Sequence, residues 1–185
     1  MESFRLSADG RLHRRLIEKY GRELTLKERF DNKVFGISCL QPSRTSNDFL
    51  GLWFESKNFS VRPHLDQLTN GLVFRLTDSK DINALAISYV ELRSIRVMRS
   101  PDLVRPIPFS PFWTLTRLGF EPRKVRWMAI SWGLEFQFGD VNVVLEFRDK
   151  SSLDLVCSAR HEPTVRKFFR SPFLRKKVVF PVEDE

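Results

Sequence analysis

The sequence predicts an α+β fold: a strongly bent antiparallel sheet or partly open barrel, capped by a C-terminal helix and preceded by an N-terminal helical extension. Three observations predict it. Apolar and polar residues alternate through GLEFQFGDVNVVLEFRD (133–149) and again through SLDLVCSA (152–159), the period-two signature of strands with one buried face. The period becomes helical immediately afterwards, in EPTVRKFF. Near the start, DGRLHRRLIEKY (9–20) sets Leu12, Leu16, Ile17 and Tyr20 along one helical stripe.

In chain order, Asp9 is placed to cap that first helix and Gly21 to end it. TLKE (25–28) fits a capping box opening a short second helix or turn. From Asn32 the periodicity changes. VFGISCL (34–40) reads as a strand, QPSRTSND (41–48) as a polar loop and FLGLWF (49–54) as the next strand. FSV (59–61) is a short candidate closed by Arg62-Pro63. Gly71 leads into LVFRLT (72–77), turned by DSKD (78–81). INALAISYVELRSIRV (82–97) is too long for one flat strand and divides near Tyr89 to Leu92, with a bend or bulge between the pieces.

Residues 100–125 read differently. Pro101, Pro106, Pro108, Pro111 and Pro122 forbid a regular central strand. The segment is an apolar, aromatic-rich insertion with one short helix expected at Phe112 to Leu118. It must cover the core or a partner, because bare aromatic surface of that extent is costly.

In the meander that follows, Leu134, Phe136 and Phe138 share one side, then Val141, Val143, Leu145 and Phe147. Gly139-Asp140 suits a two-residue hairpin loop of type II′ between them. Asp149 to Ser152 makes the next turn, and Leu153, Leu155 and Cys157 point one way on the third strand. The final helix starts around His161-Glu162-Pro163, where a proline in the first turn costs nothing. Val165, Phe168 and Phe169 supply its inward stripe and Ser171-Pro172 ends it. Val178, Val179 and Phe180 are placed to add a small edge strand, and the tail after Val179, PVEDE, is acidic. The chain thus divides into a helical extension (1–31), one α+β domain (32–180) carrying the insertion at 100–125, and an acidic tail (181–185).

The 185 residues are 42% hydrophobic and 12% aromatic, enough to fill a core for one domain. No apolar run approaches 18 residues, so no membrane span is expected, and MESFRLSADGRLHRR lacks the apolar stretch of a signal peptide. A cytoplasmic location follows as an expectation, with a peripheral position at a membrane surface as its variant. Cys39 and Cys157 each lie in an apolar run and read as buried thiols. A formal net charge of +8 raises the local concentration of phosphate-bearing partners without choosing among nucleic acid, acidic lipid and acidic protein.

The order of these segments, a meander whose last strand SLDLVCSA turns directly into EPTVRKFF, with LVFRLT and AISYVELRSIRV as paired strands upstream, resembles the pleckstrin-homology-like superfold, including bacterial PH-like and GRAM-like domains. ISYVELRSIRV (87–97) is similar to the second-strand region of such domains. The resemblance covers about residues 71–170, brings no chemical motif, and leaves the proline-rich block longer than the simple domain needs. It implies a bent sheet plugged at one end by the C-terminal helix, and a role in binding lipids, peptides or proteins. A generic α+β roll or small open barrel is the alternative fold.

No catalytic constellation stands out. His13, His64 and His161 have no ligand spacing, and two distant cysteines assemble no zinc cluster. Nucleophile-elbow, phosphate-loop and dinucleotide patterns are absent from the chain. Asp48 with Glu55 and Lys57 echoes the two carboxylates and lysine of a metal-dependent nuclease, against which Ser56-Lys57-Asn58 reads as a turn. Glu135, Glu146, Asp149 and Asp154 fall on the wet side of their strands, where salt bridging is expected. No cofactor is expected.

Two basic clusters remain. One gathers Arg93, Arg96, Arg99, Arg105, Arg117, Arg123, Lys124 and Arg126; the other Arg160, Arg166, Lys167, Arg170, Arg175, Lys176 and Lys177, against Glu162 alone in 160–177. The candidate anion-binding residues are therefore Arg166, Lys167, Arg170, Arg175, Lys176, Lys177, Arg123, Lys124 and Arg126. The candidate partner surface is Ile107, Phe109, Phe112, Trp113, Leu118 and Phe120. The expected function is a non-catalytic binding or scaffolding module that recognises a protein partner, a second copy of itself, or an anionic ligand or lipid surface. A nucleic-acid-binding protein is the alternative, with Trp127 and Trp132 beside Arg123, Lys124 and Arg126 as the nearest thing to a stacking platform.

Overall fold

The computed structural model describes residues 1–6, 12–55, 63–78, 81–126 and 132–180. The chain opens with strand β1 (Glu2–Leu6), helices α1 (Arg14–Tyr20) and α2 (Leu26–Asp31), β2 (Gln41–Thr45) and α3 (Asp48–Glu55). Then come β3 (His64–Gln67), β4 (Gly71–Asp78), β5 (Asp81–Ser88) and β6 (Leu92–Arg99). The insertion, longer than expected and reaching residue 137, holds β7 (Leu103–Val104), α4 (Pro111–Arg117), α5 (Pro122–Val125), α6 (Trp132–Glu135) and β8 (Phe136–Gln137). The chain closes with β9 (Asp140–Phe147), β10 (Ser152–Ser158), α7 (Glu162–Phe169) and β11 (Val178–Val179).

The fold is α+β, its mostly antiparallel strands forming, among the described residues, two main sheets that do not close into a barrel and a separate two-stranded pair, β7-β8. One sheet has the order β1-β5-β4-β3 and the other β11-β6-β9-β10-β2, in which only the β11–β6 pairing is parallel among the described pairs. The expected division at Tyr89 to Leu92 is where the chain leaves the first sheet and enters the second.

Both sheets line one core. Leu72, Phe74, Leu85 and Ile87 of the first face Ile95, Val97, Val143, Leu145, Leu153 and Leu155 of the second, and α3 and α7 add Leu50, Phe54, Val165, Phe168 and Phe169. The alternate positions of the first sheet, Val73, Ala84 and Ala86, are buried on its other side beneath Leu12, Leu16 and Tyr20. That double burial explains why LVF and ALAI read as continuous apolar runs.

Several expectations are corrected. The N-terminus is not helical alone, since β1 pairs with β5 along the first sheet. Ile17 is exposed, although it falls on the expected stripe. Residues 34–40 form no strand beyond a single bridge from Ile37 to Leu65; Val34, Ile37 and Leu40 are buried every third residue, a spacing that no strand accommodates. The polar loop at 41–48 contains β2, an edge strand that tolerates Pro42 because one side is unpaired. FLGLWF is helical: Asn47 Oδ1 accepts from the Leu50 amide at 3.1 Å, and Leu50, Trp53 and Phe54 are buried at helical spacing.

The expected strand at 134–138 is overturned too. Leu134 is exposed, Glu135 is buried in α6, and β8 pairs with β7 rather than with β9. Gly139 has no positive φ, so no type II′ turn joins them. It is instead a point of close approach, where a Cβ would meet the carbonyls of Ser100 and Pro101 at 2.3 and 2.5 Å. The readings at Asp9, 59–61, Lys57, Trp127 and 181–185 lie outside the described residues.

Candidate functional site

The insertion is a small folded unit. Ser110 caps α4, its Oγ accepting from the Trp113 amide at 2.9 Å, with Pro111 in the first turn. Phe112, Val125 and Phe136 form its own core, so Phe112 is buried and is not part of a partner surface. Glu135 fixes the loop before α4. Its Oε1 accepts from the Ile107 amide at 2.8 Å and from the Ser110 hydroxyl, and its carbonyl accepts from the Arg105 amide at 2.8 Å. A buried carboxylate thus takes the place of the solvated one expected from alternation.

That anchoring leaves one ring in water. Phe109 sits at φ 65° and is 87% exposed. A left-handed conformation is costly for a bulky side chain and persists only where the surroundings impose it. The Phe109 ring lies 5.3 Å from that of half-buried Trp113, and the Arg117 guanidinium stands 4.6 Å over Trp113. Phe109, Trp113 and Arg117 therefore form one ridge. Ile107, Leu118, Phe120 and Leu134 are also exposed on the insertion. From 103 to 120 the charges are Arg105 and Arg117, with no carboxylate.

The expected cation cluster at 123–126 is spent internally. Arg123 pairs with Asp102 at 2.6 Å, Lys124 with Glu121 at 2.8 Å, and Arg126 stacks 4.1 Å from the Phe138 ring centre. Asp102 also receives Arg99 at 2.8 Å, and Arg99 Nε lies 3.2 Å from Glu162 without hydrogen-bond alignment. Glu162 in turn holds Arg166 at 2.7 Å. This line of alternating charges runs from the insertion to α7.

The second basic cluster separates into two kinds. Lys177 donates to the Leu92 carbonyl at 2.5 Å, and burial holds its pKa below the ordinary lysine value, so it ties β11 to β6. Lys167, Arg170, Arg175 and Lys176 are exposed. Arg166, Lys167 and Arg170 line a cleft of about 620 Å³ with Lys33, which the turn after α2 brings to them. Arg170 also borders a second cleft of about 450 Å³ with Arg175 and Phe180. Lys33 gave no signal in the sequence, because only the tertiary packing of α2 places it beside α7.

Asp48 and Glu55 open and close α3 and line a different cleft, of about 610 Å³, with Arg44 and Leu52. Seven residues of helix separate their backbones by about 10 Å along α3, and Lys57, the third member of that echo, lies outside the described residues. Among the described residues no group of three or more His, Cys, Asp or Glu is arranged to hold a metal. Cys39 and Cys157 form no disulfide; a hydrogen bond with Cys39 and burial push the Cys157 thiol far up, away from a reactive thiolate. His13 and His161 stand at helix starts, and His64 lies 3.4 Å from Asp66.

Comparison with protein-family models, curated proteins and solved structures returned no match. No described helix is long and apolar enough to cross a membrane.

Proposed function

We propose that the chain is a non-catalytic docking module of pleckstrin-homology-like architecture that seats the ridge of its insertion on an anionic membrane surface. The observation that carries the reading is Phe109, held in water at a left-handed φ by a loop that Glu135 pins from beneath. Each such apolar side chain gains about 2 kcal/mol on leaving water, and each arginine near an anionic leaflet adds about 1 kcal/mol. The absence of carboxylates from 103–120 favours lipid over a protein partner, whose interface would ordinarily mix signs. The architectural part rests on the passage from β10 into α7, which buries Val165, Phe168 and Phe169 in the core between the sheets.

Vesicle co-sedimentation tests the reading. Phosphatidylglycerol-containing vesicles should retain the protein, pure phosphatidylcholine vesicles should not, and Phe109→Asp should lower retention about tenfold or more. Retention unchanged by Phe109→Asp overturns the ridge as the contact. Retention on neither vesicle overturns the membrane reading, and light scattering on the same sample then reads whether the ridge pairs two copies.

A further inference from the structure

The cleft between α2 and α7 is an electrostatic oddity that the ridge does not explain. Lys33, Lys167 and Arg170 converge on it, and none of the three has an acidic partner among the described residues. The carboxylate in its lining, Glu162, is already shared by Arg166 and Arg99. Arg170 also lines the neighbouring cleft, where Arg175 has no acidic partner among the described residues. Gathering like charges around a concavity costs free energy, and a bound anion offsets that cost.

The groove is also partly ordered in advance. The Phe180 ring lies 5.1 Å from the Arg170 guanidinium and 5.4 Å from that of Arg166. The contact holds the Arg170 guanidinium in place over the ring while its edge can still grip an oxyanion in the bidentate manner that lysine lacks.

From this geometry we propose that the two clefts, which share Arg170 in their linings, form a binding site for a ligand carrying at least two phosphate groups, one held by Lys33, Lys167 and Arg170, the next by Arg170 and Arg175. Arg170 is the shared donor. The site uses none of the ridge residues, so it stands or falls independently of membrane docking.

Isothermal titration of the full chain at low ionic strength tests it, with tripolyphosphate and orthophosphate as probes. Tripolyphosphate should bind about tenfold or more tightly than orthophosphate, and Lys33→Ala/Lys167→Ala should weaken it by about tenfold or more. The control Lys27→Ala/Lys124→Ala removes the same two charges elsewhere and should leave the affinity unchanged. Lys33 and Lys167 are exposed, so these variants should fold; Lys33→Arg/Lys167→Arg, which keeps the charge, should restore binding. Equal weakening by both alanine pairs, or no discrimination between the probes, overturns the site in favour of diffuse attraction. The source of the phosphates is read with Phe109→Asp in the background, comparing tripolyphosphate with vesicles bearing a polyphosphorylated headgroup lipid. Preference for the salt assigns a free anion, preference for the vesicles a headgroup, and binding to neither overturns the proposal.

Discussion

Gln67 is buried in β3, where its Nε2 donates to the Phe168 carbonyl at 2.6 Å and its Oε1 accepts from the Ser171 hydroxyl at 2.6 Å. One amide thereby closes the end of α7. Gln67→Ala leaves two buried polar groups without a partner, so a stability loss of about 2 kcal/mol or more is expected, read as a lowered urea midpoint. The insertion offers a paired contrast between neighbouring phenylalanines. Phe112→Ala should cost about 3–5 kcal/mol by opening a cavity in the small core, whereas Phe109→Ala should change stability by less than about 0.5 kcal/mol. Thermal melts of the two variants separate them, and equal melting points would contradict the assignment of one ring to the core and the other to solvent. The alternation of LEFQF (134–138) misleads about which side chains are buried, because period two says which residues share a side only if the segment is a strand. Glu135 shows the failure plainly: α6 rotates it into the interior, where it organises the loop before α4.

At the scale of elements, Gly139 is where the insertion rejoins the sheet, and its carbonyl accepts from the Ala159 amide at 2.8 Å. Gly139→Ala would drive a methyl into two backbone carbonyls that cannot rotate away, and a loss of about 1–3 kcal/mol is expected in a denaturant titration. β4, β5, β6, β9, β10 and α7 were legible in the sequence because packing and local pattern agree there. The first half of the domain was less so. FLGLWF is apolar all through, and an unbroken apolar run of that length fits strand or helix equally; the Asn47 cap and the burial of Leu50, Trp53 and Phe54 decide for helix. β2 is polar because it lies at a sheet edge, a context that only pairing with β10 reveals. The site was legible in part. Lys167, Arg170, Phe109 and Leu118 are exposed, but Arg123 meets Asp102 across 21 residues, which no spacing rule foretells, and Lys124 meets Glu121 at an i,i+3 spacing that counts only once α5 is known to be helical.

For the whole molecule, Asp66 is a buried carboxyl whose titration couples folding to acid. Burial pushes its carboxyl up, but hydrogen bonds from His64 and Arg29 outweigh that and hold it at about 2, below the ordinary 3.8. Arg29 and Arg75 approach it at 2.9 and 2.8 Å, tying α2 and β4 to β3. A carboxyl depressed by folding contributes stability above its unfolded value that is lost as pH falls through the folded one. About 2 kcal/mol should therefore disappear between about pH 4 and pH 2, and Asp66→Asn should flatten that part of the pH–stability curve. An unaltered acid limb in the variant would place the sensitivity elsewhere.

The layer formed by β1 and α1 has a consequence for truncation. Among the described residues, Val73, Ala84 and Ala86 pack beneath Leu6, Leu12, Leu16 and Tyr20, with Phe4, Leu68 and Ile82 beside them, so a chain begun at Arg22 would bare an oily plate bordered by the unpaired rim of β5. Two such plates would clasp each other. Shortened versions of this protein should precipitate or pair, whatever the state of the ridge and the groove.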